Sequence, residues 1–196
     1  LFSQDISLWN QVRKLFTMQY NIDQNPYLHR TVFHLPDGQI RKGVLALKDT
    51  RVRPLVIVRM GVAGNVEEAF AERFFLYDLF ERGFFDVLMV ENMTSADYIH
   101  FNRANRQIHF AGLAESYQNI WLAQTLTSPL QPISKLFQSV HLMGLSLGGQ
   151  GVLTAAWLAR YQANPNLISS YTTLCPVVNL SETFDNLFKK SWMRFP

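Results

Sequence analysis

Short apolar runs recur along the chain with helix-length stretches between them, and this rhythm restricts the possible fold more than any other feature. The runs are Leu55–Val58, Phe84–Val90, Val140–Met143 (within a strand read over Ser139–Gly144) and Ser170–Val178. They are short enough for strands, and the first is a β-branched run that suits a buried one. Asn65 with Glu68 three residues later forms a capping-box pattern that opens a helix closed by Gly83. Gly112–Leu126 reads as a second helix, ending before Ser128-Pro129, and Leu147–Tyr161 as a third that is almost wholly apolar. Strands alternating with helices predict an α/β fold: a mostly parallel sheet with helices on both faces.

The entry to that sheet is different. Leu8, Trp9, Val12, Leu15 and Phe16 fall on one stripe of a helix expected over Asp5–Met18. Two strand-like runs follow, Thr31–Leu35 and Ile40–Leu47, joined by Pro36-Asp37-Gly38, so an antiparallel hairpin is expected. Ser181–Lys190 reads as a final helix. Residues 1–30 form a helix and lead-in, and 31–196 a single core that runs to about a sixth strand.

Composition narrows the function classes. A chain of 196 residues with 48% apolar and 17% charged residues buries a core of its own, which excludes a disordered tail or a coiled coil. One cysteine excludes an internal disulfide framework and a multi-thiolate zinc site. A net charge of +3 is too small to argue for nucleic acid. No run approaches the ~18 apolar residues of a membrane span, so the chain is expected to be soluble. The compartment stays open, with the cytoplasm favoured and a leader removed upstream of Leu1 as the other case.

The most informative segment is Gly144-Leu145-Ser146-Leu147-Gly148-Gly149. A G-x-S-x-G string says little alone, but here Val140–Met143 precedes it as a strand and a helix follows. That junction suits a nucleophile elbow, in which a serine in a strained conformation projects from the end of the sheet. The neighbours two residues either side must lack bulk, and Gly144 and Gly148 do. The helix begins at the serine, so its unpaired N–H groups favour negative charge there. The alternative is a glycine-rich turn with an incidental serine. A dinucleotide site fails on spacing, because Thr154 stands where a third glycine would be needed.

A second segment, Arg59-Met60-Gly61-Val62-Ala63-Gly64, follows the first parallel strand. Acyl transfer needs two backbone N–H donors aimed at the oxyanion. Leu147, after the serine, supplies one in this reading and Val62 the other, with Gly61 allowing close approach. A plain connecting turn is the alternative.

With hairpin, strand, oxyanion turn and elbow in this order, the sequence resembles the α/β-hydrolase superfamily from about Thr31 to Asn179, in its esterase and lipase-like branch. Cys175-Pro176-Val177-Val178-Asn179-Leu180 is similar to the strand end that follows the elbow helix there. The resemblance implies serine-dependent cleavage of a small-molecule ester, thioester or amide, with no metal and no organic cofactor. It departs from the pattern at Met60, where many relatives have histidine. It departs also in the triad, whose order is serine, acid, histidine. No histidine follows Ser146; His29, His34, His100, His109 and His141 all precede it. His141 reads as a packed strand histidine, and His100 and His109 as histidines of a polar loop, Thr94–Arg106. Asp185 is the acid candidate, against a plain surface aspartate. The base is therefore expected from sequence beyond this chain, and these residues alone are expected to be nearly inactive, at a residual rate about 10³–10⁴-fold over water.

Three further features were weighed. Arg41, Lys42, Lys48, Arg51 and Arg53 read as charges that keep a hairpin edge soluble rather than as a phosphate site. Phe184, Leu187, Phe188, Trp192 and Phe195 make an aromatic C-terminal segment, either part of a lid or a helix seeking a partner. Cys175 reads as a buried small hydrophobe. The second functional reading is a non-catalytic binding or interaction module on the same scaffold. The intact Gly144–Gly149 turn favours the enzyme, because a retired site has no need of a strained serine.

Overall fold

A computed structural model of the chain describes residues 22, 25–62, 64–66, 75–104, 112–162, 164–179, 181–183 and 185. The helix expected over Asp5–Met18, residues 67–74 of the helix expected after Asn65, most of the one expected after Ser181, the C-terminal aromatic residues and His109 lie outside them.

Among the described residues six strands form one sheet in the order β1-β2-β4-β3-β5-β6. These are β1 (Leu28–His34), β2 (Ile40–Ala46), β3 (Arg53–Arg59), β4 (Asp86–Val90), β5 (Phe137–Leu145) and β6 (Ser170–Leu174). The hairpin is antiparallel, with Leu28 opposite Ala46 and His34 opposite Ile40. β2 pairs antiparallel with β4, and every pairing beyond is parallel. The helices among the described residues are α1 (Leu76–Arg82, wound with the wider π spacing), α2 (Ala96–Phe101), α3 (Leu113–Thr127) and α4 (Leu147–Ala159), with a short 3-10 turn over Pro132–Leu136 before β5.

The central strands explain the apolar runs. Along β3, Leu55 and Ile57 enter a core with α3 and α4, while Val56 and Val58 enter a second core with α1. β4 divides in the same way, Leu88 and Val90 to one side and Val87 and Met89 to the other. A period of two with both faces covered leaves no place for a polar side chain in the middle of the strand. Each fully buried leucine or isoleucine contributes about 1.5–3 kcal/mol. The two edges differ from this: β1 from Arg30 onward and β6 throughout alternate between exposed and part-buried residues.

Four sequence expectations are corrected. The strand expected over Ser170–Val178 ends at Leu174, because Cys175 turns into positive φ (46°) and Pro176 has no N–H to extend the ladder. Cys175 is exposed, not buried. Within the stretch read as a polar loop, α2 forms behind Ser95, whose Oγ accepts from the Tyr98 N–H at 3.1 Å. The basic stretch is not one solvated edge. Arg41 and Arg53 are 0% and 3% exposed, whereas Arg51 stands in solvent. Arg41 lies 4.0 Å from the Tyr98 ring centroid, and its Nε and Nη2 donate to Gln118 Oε1 at 3.0 and 2.6 Å. Burial, and then the nearby charge of Arg59, lower its pKa to about 10.

Candidate active site

In a parallel sheet, side chains that do chemistry gather at the carboxyl ends of the strands. Three such ends meet here: Arg59-Met60-Gly61 after β3, Glu91-Asn92 after β4, and Leu145-Ser146 after β5, with Arg59 in register with both Val90 and Gly144. Ser146 is where the sheet hands over to α4. Its backbone takes φ 53° and ψ −118°, a conformation that costs a residue with a Cβ about 1–3 kcal/mol.

Neighbouring backbone holds the serine there. Its N–H donates to Leu174 O at 2.9 Å, and its carbonyl accepts from Gln150 N at 3.2 Å and Val177 N at 3.3 Å. The turn after β6 thus closes back on the serine, with Cys175 as its left-handed corner. Among the described residues the Ser146 Oγ has no hydrogen-bond partner.

The glycines are required by contact. A Cβ on Gly144 would lie 2.4 Å from Gly148 O, and one on Gly148 would lie 2.4 Å from both Arg59 O and Met60 O. The elbow, the start of α4 and the end of β3 are therefore in backbone contact. Gly61 sits against the serine: a Cβ there would be 3.2 Å from Ser146 Cβ and 3.7 Å from its Oγ.

Of the residues chosen from sequence, Ser146, Gly61, Gly144, Gly148, Leu147 and Val62 fall together. Leu147 opens α4 and is buried, and Val62 is 63% exposed in the turn beside Gly61. Neither N–H has a hydrogen-bond partner among the described residues. Asp185 is exposed after β6. His141 lies five residues before Ser146 on β5, about 16 Å away at the usual strand rise. Its ring nitrogens are engaged by Ser139 Oγ at 2.9 Å and Ser170 Oγ at 2.7 Å, and burial lowers its pKa. His100 is exposed on α2, edge-on to Phe101.

Reasoning from sequence missed the polar layer beneath the turn. Arg59 Nη2 donates to Glu115 Oε1 at 3.0 Å, both side chains buried, and Asn92 Nδ2 reaches the same oxygen at 3.3 Å. Asn92 Nδ2 also donates to Met60 O at 2.9 Å. Glu115 presses on the elbow helix, since a Cβ on Gly151 would lie 3.0 Å from its Cβ and Oε2. A signal was available: Glu91-Asn92 directly follows an apolar strand at the same end of the sheet as the serine. Among the described residues no group of three His, Cys, Asp or Glu side chains fits a metal ion, and no helix is long and apolar enough to cross a membrane.

No protein-family model matches the sequence, and neither does any curated protein. Solved structures do match. The esterase Est22 is 18% identical, with 86% of this chain and 50% of its own covered and a TM-score of 0.56. Est1E from Butyrivibrio proteoclasticus is 16% identical over 80% of this chain and 55% of its own, with a TM-score of 0.54. Dienelactone hydrolase from Anabaena variabilis is 16% identical over 67% and 58%, with a TM-score of 0.50. The chain spans about half the length of these structures. At such identities the likeness is one of fold, and the fold is that of the α/β-hydrolases.

Proposed function

We propose that this chain carries the nucleophile half of a serine hydrolase that cleaves a small-molecule carboxylic ester, or a thioester or amide, through an acyl-enzyme on Ser146. The strained serine at the strand-to-helix junction, packed against Gly61, is the observation that carries the reading. A backbone held at φ 53° needs a reason, and projecting an oxygen beside unpaired N–H groups is one. The esterase neighbours support the substrate class.

In this mechanism Ser146 Oγ attacks the acyl carbon, and the tetrahedral oxyanion is met by the N–H groups of Val62 and Leu147. The N-terminus of α4 adds its dipole to the same point. Collapse expels the alcohol, and water then releases the acid. An unaided hydroxyl is a weak nucleophile, so the step needs a base to take its proton. In this proposal the base is a histidine outside residues 1–196, His141 being held by Ser139 and Ser170, and the acid comes from there or from Asp185. No cofactor takes part.

The test is ester turnover by the protein that contains these residues. Ser146→Ala is expected to lower kcat on p-nitrophenyl esters by about 10³-fold or more, with the fold intact by circular dichroism. Equal turnover by wild type and variant removes the serine mechanism and favours a binding module on the same scaffold.

A further inference from the structure

The turn that carries Gly61 and Val62 is short and solvent-facing, yet an oxyanion donor must stand still to within a fraction of an ångström. One side chain meets that demand. Asn92 donates from its amide nitrogen to Met60 O (2.9 Å) at the start of the turn, and from its backbone N–H to Gly64 O (3.0 Å) at the end. Between these points the Gly64 N–H closes on Gly61 O at 3.0 Å. Both ends of the loop thus hang on one residue just past the end of the neighbouring strand.

Asn92 is itself held on every side. Its Oδ1 accepts from the Thr94 N–H at 2.9 Å and from Thr94 Oγ1 at 2.6 Å, and its carbonyl accepts from Ser95 N at 3.0 Å. Glu115 Oε1, fixed by Arg59, takes the remaining reach of the amide at 3.3 Å. With acceptors on the nitrogen side and donors on the oxygen side, the amide has one orientation. The residue is fully buried.

Peptide geometry turns this clamp into an aim. A peptide N–H points opposite to the carbonyl of the same unit. Holding Met60 O therefore directs the Gly61 N–H, and holding Gly61 O directs the Val62 N–H. The opposing surface is set as well, since Gly148 of the elbow helix touches Arg59 O and Met60 O. We propose that Asn92 is a positioning residue for acyl transfer at Ser146: it fixes the Met60–Gly64 turn so that the turn's N–H groups stand beside the serine oxygen. This inference rests on Ser146 as the nucleophile.

The test compares wild type, Asn92→Ala, the equally sized Asn92→Asp, and Ser146→Ala in the catalytically complete protein. Both Asn92 variants are expected to lose about 10- to 100-fold in kcat with KM within about twofold, because the loss falls on the transition state. Binding of a boronic acid, which mimics the tetrahedral oxyanion, weakens by the same factor. Unchanged kcat in the Asn92 variants, or a rise in KM that accounts for the whole loss, overturns the proposal while a dead Ser146→Ala leaves the hydrolase reading standing. A second readout does not depend on turnover. Hydrogen exchange at the Gly64 amide is expected to accelerate at least about tenfold in whichever Asn92 variant folds, and exchange at the wild-type rate rejects the clamp. Turnover that survives in Ser146→Ala strikes the functional reading, and the exchange result then judges the clamp alone.

Discussion

Ser146 occupies a backbone conformation that suits glycine better than any residue with a Cβ, and the hydrogen bonds to Leu174, Gln150 and Val177 keep it there. Strain of this kind is separable from chemistry. Ser146→Gly is expected to be about 1 kcal/mol more stable than Ser146→Ala, since relief at φ 53° exceeds the added freedom of the unfolded chain. Urea unfolding midpoints of the two variants measure it, and equal midpoints deny the strain. A second residue sets a pH dependence. Burial raises the pKa of Glu91 above its ordinary 4.5, and the bonds from the Lys42 N–H (2.8 Å) and Ser95 Oγ (3.0 Å) only partly offset this. A raised folded pKa means stability that is fully present below about pH 4.5 and lost as pH rises through the folded value. Wild type should therefore lose stability relative to Glu91→Gln between pH 4 and pH 7, and unfolding curves at both pH values give the difference. At this scale Ser146 and Gly144 were legible in sequence because each answers to a local backbone demand, whereas Gly61 and Gly148 were read from motif spacing and are crowded by residues across the sheet. Arg41 was not: the partner that buries it, Gln118, lies 77 residues away, and a basic residue on a hairpin strand gives no local sign of it.

At the scale of elements, backbone contact at the elbow brings β3, β5 and α4 together. Gly148→Ala places a methyl 2.4 Å from two carbonyl oxygens that cannot rotate away, so α4 must lift from the sheet. The expected cost is about 3 kcal/mol, read as a lowered urea midpoint, together with loss of ester turnover. A fully stable Gly148→Ala would mean that α4 meets the sheet less closely than described. Element order and pairing were legible because the buried strands write their period directly into the sequence, as β3 does with Leu55 and Ile57 on one side and Val56 and Val58 on the other. The ends were harder to read. The last strand stops at Leu174 because of a left-handed turn at Cys175, and an apolar stretch such as Leu174–Val178 carries no mark of that. Helix α2 hid inside a polar segment because its buried face is little more than Tyr98.

Taken as a whole, the molecule brings the carboxyl ends of β3, β4 and β5 to one place, and among the described residues no hydrogen bond joins a base to the Ser146 Oγ. No histidine follows the serine, and the strand histidine is occupied elsewhere. We therefore expect residues 1–196 alone to hydrolyse p-nitrophenyl esters at a residual rate, about 10³–10⁴-fold over water, and a longer protein that adds a late histidine to reach ordinary enzyme rates. Comparable turnover by the two would place the base among the residues already here. The hydrolase fold was legible at this scale, since a G-x-S-x-G turn between a strand and a helix has few other homes. The bonds from Asn92 to the Met60–Gly64 turn were not, because an asparagine past a strand end looks like any loop residue until Met60 and Gly64 are brought to it.

The most direct measurement is mass spectrometry of the catalytically complete protein after exposure to a fluorophosphonate. The account predicts one covalent adduct, on the peptide containing Ser146, and none in Ser146→Ala. An unlabelled protein, or an adduct on any other residue, contradicts it.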